Sequence, residues 1–434
     1  MATVLAHDIV HFLGLSGHPA LPRVLRATSR EWERTIRWLD HSGLALYFLE
    51  RVQTEGATSC IPADMLRELE ERHNNNEQRV EHLKAIFASI NDGFDRDGVR
   101  FAVLKGFSLT PEYCANPCTR AQSDLDYLIA RDSSAAAENA LIDQGFVLKK
   151  RQGEERSFWI PGPEPTDAVQ QYSPNGPWMV ELHLSTWDQS LWRIPLKIPE
   201  PSFTDLRTHR WSGLEFPCLP KTLAFVGQIL HCFKHLLDGW IRLSWLFEIA
   251  CFLQDQGDDT LLWREFDHIV TAEPLVGELV AAITCLAVDL FEPAVPRSLQ
   301  KCIQDLQPIA RVWLEEYAPD WLFEKLPRYE ICFFSRSKLS MFLGELYCAP
   351  QAEHGSHDFG FLFPFRGMKR QVQKRHAQTS AMHAIAHQTR WLTLHSIYHA
   401  GATLRYIWEL PRWRHRMQLL RAHGEVRNTS NSSS

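Results

Sequence analysis

Between residues 30 and 95 apolar positions recur at helical spacing. Trp32, Ile36 and Leu39 mark one face, and Leu44 to Leu49 continue it. Met65, Leu66 and Leu69, then Val80, Leu83, Ile86, Phe87 and Ile90, keep the same period and predict further helix. Asp92-Gly93 and Asp97-Gly98 punctuate the end of the run.

The pattern then changes. Val99–Leu104 and Leu125–Ala130 are short β-prone runs, with room for a helical turn or two from Ser108 to Tyr113 between them. A helix over Ala135–Gln144 is capped by Ser133 or Ser134 and closed by Gly145. Phe146–Lys149 is a third strand. Trp178–Leu184, beyond a Pro- and Gly-rich passage, is a fourth. The order β-α-β-α-β-β describes an α+β unit rather than a doubly wound sheet. A short Leu214–Leu219 strand follows, and Lys221 opens a long helical stretch to Leu253. Residues 366–424 read as two helices broken near Gly401 and Pro411. The expected fold class is α+β, predominantly helical, with a small mixed sheet between helical N- and C-terminal additions. Four regions follow: 1–97 helical, 98–190 the α+β core, 191–330 helical, and 331–434 helical, basic and aromatic with a frayed end.

Composition adds little to this until charge is divided. With 434 residues, 45% hydrophobic and 23% charged, the chain has the make-up of a folded protein, which excludes disordered and collagen-like classes. The net charge of −6 conceals an asymmetry. Residues 366–434 hold 12 basic and 2 acidic residues, a net of +10, which leaves −16 on residues 1–365. Ten cysteines lie from Cys60 to Cys348 without a zinc-ribbon or redox spacing, as expected of reduced thiols. Residues 1–13 lack a basic signal-peptide start. The apolar stretch near Leu275–Phe291 carries Glu278 and Asp289, so no transmembrane segment is expected. These features place the protein in the cytoplasm.

The chemistry gathers around Asp124-Leu125-Asp126. Alternate residues of a strand share a face, so the two carboxylates project together, and like charges side by side call for a cation. A hard ion such as Mg²⁺ suits carboxylates combined with phosphate oxygens. Lys105-Gly106-Phe107-Ser108 follows a strand and opens a helix, where backbone N–H groups can approach a phosphate. Arg120 can neutralise a polyphosphate, and Glu181 on a later strand supplies a third carboxylate.

Leu104-Lys105-Gly106 with Leu109, then Arg120 with Asp124-Leu125-Asp126 and Leu128-Ile129, then Gly145-Phe146 and Glu181-Leu182-His183, follow one another in a recognisable order. The series resembles the bacterial uncharacterised nucleotidyltransferase family, in the DNA polymerase β-like minimal nucleotidyltransferase superfamily. Leu219-Pro220, His231 to His235, and Arg242-Leu-Ser-Trp to Glu248 extend the likeness, so that it covers roughly residues 35–255.

The resemblance implies transfer of a nucleoside monophosphate from an NTP to an unknown acceptor, with two Mg²⁺ ions and release of pyrophosphate. Asp124, Asp126 and Glu181 would be the metal-binding and catalytic residues. Lys105, Gly106, Ser108 and Arg120 would hold the nucleotide, and His183, His231 and His235 are candidates for the acceptor side. The acceptor could be a protein, an RNA, a sugar phosphate or a small molecule. The alternative is a degenerate core used for nucleotide sensing or interaction without catalysis, since Phe107 follows Gly106 where the superfamily usually has a second Gly or a Ser. The basic tail, with Trp391, Tyr398, Tyr406, Trp408 and Trp413, suits an anionic partner or the acidic part of its own chain.

Overall fold

The computed structural model describes residues 2–17, 27–162, 168–189, 194–319, 338–348 and 381–431. They form two compact units. The first comprises Met1–Lys234 and Ile241–Leu306, the second His235–Trp240 and Gln307–Ser434.

In the first unit, α1 (Ala2–Leu13), α2 (Ser29–Ser42) and α3 (Ala45–Thr54) precede the long α4 (Ala63–Arg96). Thr28 starts α2 with a capping box. Its hydroxyl accepts from the Glu31 N–H, and the Glu31 carboxylate accepts from the Thr28 N–H at 2.8 Å. Val80, Leu83, Phe87, Ile90 and Phe94 form one stripe of α4, which is buried against the sheet.

The sheet contains β1 (Phe101–Leu104), β2 (Asp124–Ile129), β3 (Val147–Gln152), β4 (Glu155–Ile160), β5 (Trp178–His183), β6 (Arg207–Trp211) and β7 (Leu214–Cys218). Their spatial order is β3-β4-β5-β2-β1-β7-β6. β2 runs parallel to β5, β1 parallel to β7, and the other neighbours are antiparallel, so the sheet is mixed. Strand alternation decides what each face carries. Leu125, Tyr127 and Ile129 enter the core under α4, together with Ala137, Ala140 and Leu141 of α5 (Ser134–Asp143). Leu128 faces the other way with Ala102 and Leu219, against Leu223 and Ala224 of α6 (Lys221–Leu237). Asp124 and Asp126 share that second face.

The expected fold class holds. Several local expectations change. The passage between β3 and β5 contains β4, which pairs with both, and β6 precedes β7. Ser133 holds the N-cap position of α5 but makes no side-chain cap bond there, and its hydroxyl accepts from the Arg100 N–H at 3.3 Å. The long helical stretch from Lys221 divides into α6 and α7 (Leu243–Gln256).

Helices α8 (Thr260–Ala272), α9 (Pro274–Phe291) and α10 (Arg297–Asp305) complete this unit. By length and composition α9 would suffice to cross a membrane, despite Glu278 and Asp289. Twelve of its residues are buried, and it packs on α7 and α10 as a core helix.

The second unit contains α11 (Pro308–Glu316), α12 (Ser340–Tyr347) and α13 (Ala381–Asn431). α13 is continuous through Gly401 and Pro411, where two helices were expected. The basic tail finds part of its counter-charge inside this unit. Arg412 pairs with Glu316 at 3.6 Å and with Glu409, Arg414 pairs with Glu345 at 3.7 Å, and Arg416 also pairs with Glu316. Trp413 is fully buried, stacks on Phe342 at 4.9 Å and donates to Glu345, whereas Trp408 is exposed.

Candidate functional site

Asp126 lies opposite Glu181 in the parallel pairing of β2 with β5, and opposite Leu104 in the antiparallel pairing with β1. Register therefore sets two carboxylates side by side and delivers Lys105 to the same level. The Lys105 ammonium donates to Asp126 Oδ1 at 2.9 Å. His183, two residues beyond Glu181 and so on the same face, brings Nε2 to 3.1 Å from Asp126 Oδ1 and 3.8 Å from Glu181 Oε2. Asp126, Glu181 and His183 each offer a ligand atom, all within 4.8 Å of one another. Asp124 stands two residues earlier on the same face but is not in that group of three. Its own oxygens are approached by the Ser123 hydroxyl at 3.4 Å.

The charges act on each other strongly. Burial pushes the Asp126 carboxyl up, but the Lys105 ammonium and the His183 ring override it and hold it below the ordinary range. Burial and the Asp126 charge raise Asp124. Burial, then Asp126 and Asp124, push Glu181 up to about 7. Burial would lower Lys105, yet the carboxylates of Asp126, Asp124 and Glu181 keep it raised. These are the marks of an acidic cluster short of positive charge, and Lys105 sits where a cation would bind.

The turn after β1 is tighter than expected. Gly106–Leu109 is one four-residue 3₁₀ helix, because Pro111 forces Thr110 into an extended conformation. The expected helix N-terminus is therefore absent here. The Ser108 hydroxyl donates to the Lys105 carbonyl at 2.8 Å, within the turn itself. Lys105 holds φ +50° and ψ −154°, a region that a residue with a side chain rarely adopts, and Gly106 follows at φ +52°. A Cβ at Gly106 would run into the side-chain amide of Gln122, which donates to the Asp124 carbonyl at 2.8 Å. Gly106→Ala is expected to cost about 1–2 kcal/mol from the left-handed backbone alone. It should also displace Gln122 from the strand that carries Asp124. Urea denaturation gives the first quantity, and nucleotide affinity reports the second.

Arg120 is engaged in the fold. Its Nε donates to Glu248 Oε1 at 3.0 Å, and the Tyr47 hydroxyl donates to the same oxygen at 2.9 Å. The segment leading to Asp124 is fixed from α4. The Asn76 amide donates to the carbonyls of Cys118 and Arg120, and Arg79 donates to the carbonyls of Gln122 and Ser173. His231 lines the same cleft as Lys105 and His183. His235 belongs to the second unit, where its ring contacts Trp240 at 4.1 Å.

Two residues at this site escaped the sequence reading of roles. Arg242 precedes α7, its carbonyl accepts from the Trp245 N–H at 3.1 Å, and the charge of its partly buried guanidinium lowers Asp124. The Arg242 to Glu248 segment was visible as a motif, but which of its residues face the carboxylates was not. Gln228 of α6 had no signal at all, since its importance comes from where the helix packs.

No curated protein and no solved structure matches the chain. The family described as uncharacterised nucleotidyltransferase matches residues 28–292, more than half of the sequence, and spans the whole sheet with Asp124, Asp126, Glu181 and His183, so the chain belongs to that nucleotidyltransferase family.

Proposed function

We propose that this protein is a divalent-metal-dependent nucleotidyltransferase of the polymerase β-like kind, which moves a nucleoside monophosphate from an NTP to the hydroxyl of an acceptor. The observation that carries the reading is the cluster of Asp126, Glu181 and His183 with the Lys105 ammonium against it. The donor set fits a metal. Two carboxylates match a hard ion such as Mg²⁺, and the imidazole widens the choice toward softer divalent ions. Asp126, Glu181 and His183 would hold the metal, with Asp124 beside them. Bound divalent ions supply charge to polarise the α-phosphoryl group and acidify the attacking hydroxyl.

The chain's own residues do the rest. Lys105, Arg120 and Arg242 provide a positive field on the Asp124 side for the triphosphate, and the N–H groups of the Gly106–Ser108 turn are its neighbours. Glu181 orients the acceptor hydroxyl and takes its proton. The hydroxyl oxygen forms a bond to the α-phosphorus, the bond from that phosphorus to the β-bridging oxygen breaks, and pyrophosphate leaves with the electron pair. All nine described cysteines are free, in keeping with a cytoplasmic location.

A second reading, nucleotide sensing without catalysis, draws on Ser108 bonding within its own turn and on Lys105 holding Asp126 directly. Calorimetry with ATP, GTP, CTP and UTP, with and without Mg²⁺ or Mn²⁺, followed by a pyrophosphate-release assay with cell extract as acceptor source, separates the two. Metal-dependent binding with pyrophosphate release is expected. Binding without release would favour the sensing module, and no binding would sink both.

A further inference from the structure

The cleft that begins at Lys105 and His183 runs along α6, from Leu223 to Lys234. It encloses about 1050 Å³, counting the space open to solvent. Leu104, Leu223 and Leu230 give it apolar walls. Three polar side chains, those of Gln228, Ser185 and Thr186, stand on those walls without hydrogen-bond partners among the described residues. Gln228 is 2% exposed, and neither its amide nitrogen nor its amide oxygen has a hydrogen-bond partner among the described residues. Ser185 is 7% exposed, and its hydroxyl is likewise unpartnered. A buried amide left unpaired on both atoms is costly, and native proteins seldom keep one without a use. A leucine would fill the same place at no such cost.

The position of the cleft says which reactant it serves. Arg120 and Arg242 act on Asp124, at the start of β2. That end has the charge for a triphosphate. The cleft shares Lys105 and Ser108 with that end and runs to the opposite one, where His183 pairs with Leu128 and with Glu155 across the sheet and Ser185 follows two residues later. An acceptor hydroxyl arriving from this side meets His183 first, with the Glu181 carboxylate 3.8 Å behind it. The cleft's waiting groups are neutral, one amide and two hydroxyls, and the charged residues on its walls are of both signs, Glu154, Glu155 and Asp188 beside Lys105 and Lys234, with Lys234 3.9 Å from Glu155. They match an uncharged polar portion of a small organic molecule rather than a polyanionic backbone.

We infer that this cleft is the acceptor site, that its occupant is a small hydroxyl-bearing organic molecule, and that Gln228 and Ser185 select it by hydrogen bonding. The inference rests on the nucleotidyltransferase reading above and adds the class of acceptor. Transfer follows the balance already given, with the cleft's occupant contributing the attacking oxygen.

The test uses the full chain, α-labelled NTP and Mg²⁺, with a cell extract divided into a low-molecular-weight filtrate and retained macromolecules. Label should enter the filtrate. Gln228→Leu and Ser185→Ala should each reduce labelling about tenfold at limiting filtrate, the usual loss for one good hydrogen bond. Excess filtrate should restore it, and NTP affinity by calorimetry should not move. Gln228→Leu should melt no lower than the parent protein, since it removes an unpaired buried amide, and that readout excludes misfolding as the cause. Label confined to the macromolecules, with NTP binding intact, overturns the cleft assignment alone. Weaker NTP binding in both variants, by the same factor as labelling, overturns it in favour of a nucleobase site. Absence of metal-dependent NTP binding in the parent protein overturns the underlying reading and this one together.

Discussion

Asp126→Asn is expected to lower metal-dependent nucleotidyl transfer by about 10³-fold or more, the several kcal/mol of charge stabilisation that a catalytic metal supplies. Asparagine is the informative choice. It keeps a carbonyl oxygen for the Lys105 ammonium and the His183 ring, which now lie at 2.9 and 3.1 Å from Asp126 Oδ1. It removes the negative charge that a divalent ion needs. It also relieves part of the repulsion that, after burial, pushes Glu181 up to about 7. Lys105 keeps the charges of Asp124 and Glu181 beside it, so the melting curve should shift modestly while turnover collapses. A merely structural carboxylate would give the opposite result, a shifted melting curve with transfer retained. Single-turnover transfer with saturating NTP, beside a thermal melt of the same preparation, distinguishes the two. Wild-type turnover in Asp126→Asn would remove this cluster from the chemistry.

Much of the site was readable because it is local. Asp124 and Asp126 alternate on one strand, Glu181 and His183 on another, and Lys105-Gly106 marks where β1 ends. Each signal spans a few residues, and strand periodicity alone assigns the face. What was not readable came from tertiary placement. β3 was legible in part, over Phe146–Lys149, but its partner β4 was not, because Glu155–Ile160 opens on Glu155 and Arg156 and buries only Ser157 and Phe158. α13 runs through Pro411 although that proline should break a helix in isolation. The charge split of −16 and +10 suggested long-range attraction. Three tail arginines instead find Glu316, Glu345 and Glu409 within their own unit. Arg120 was legible as a cation near Asp124, but its partner Glu248 lies 128 residues away, and spacing gives no hint of such a contact.

That distant pair carries the largest expected effect on stability. Glu248→Leu should destabilise the first unit by about 3–5 kcal/mol, the range for removing one partner of a buried ion pair. Glu248 is fully buried, and its Oε1 accepts from Arg120 and from the Tyr47 hydroxyl. Leucine leaves the guanidinium without its counter-charge and the hydroxyl without an acceptor, in a place water does not reach. Against a usual total of about 5–15 kcal/mol, a loss of that size brings the unit close to unfolding. The damage should reach the site as well, because Arg120 lies four residues before Asp124 and its charge helps to hold that carboxyl down. The partner substitution separates charge from packing. Arg120→Met on the Glu248→Leu background removes the stranded cation, and buried ion pairs replaced by apolar residues of similar volume often lose nothing. The double variant should therefore recover most of the stability in urea denaturation. It should not fully recover nucleotide binding, because one of the three cations beside Asp124 is gone while Lys105 and Arg242 remain. A double variant no more stable than Glu248→Leu would show that the pair's packing, rather than its charge, holds the β2 strand in place.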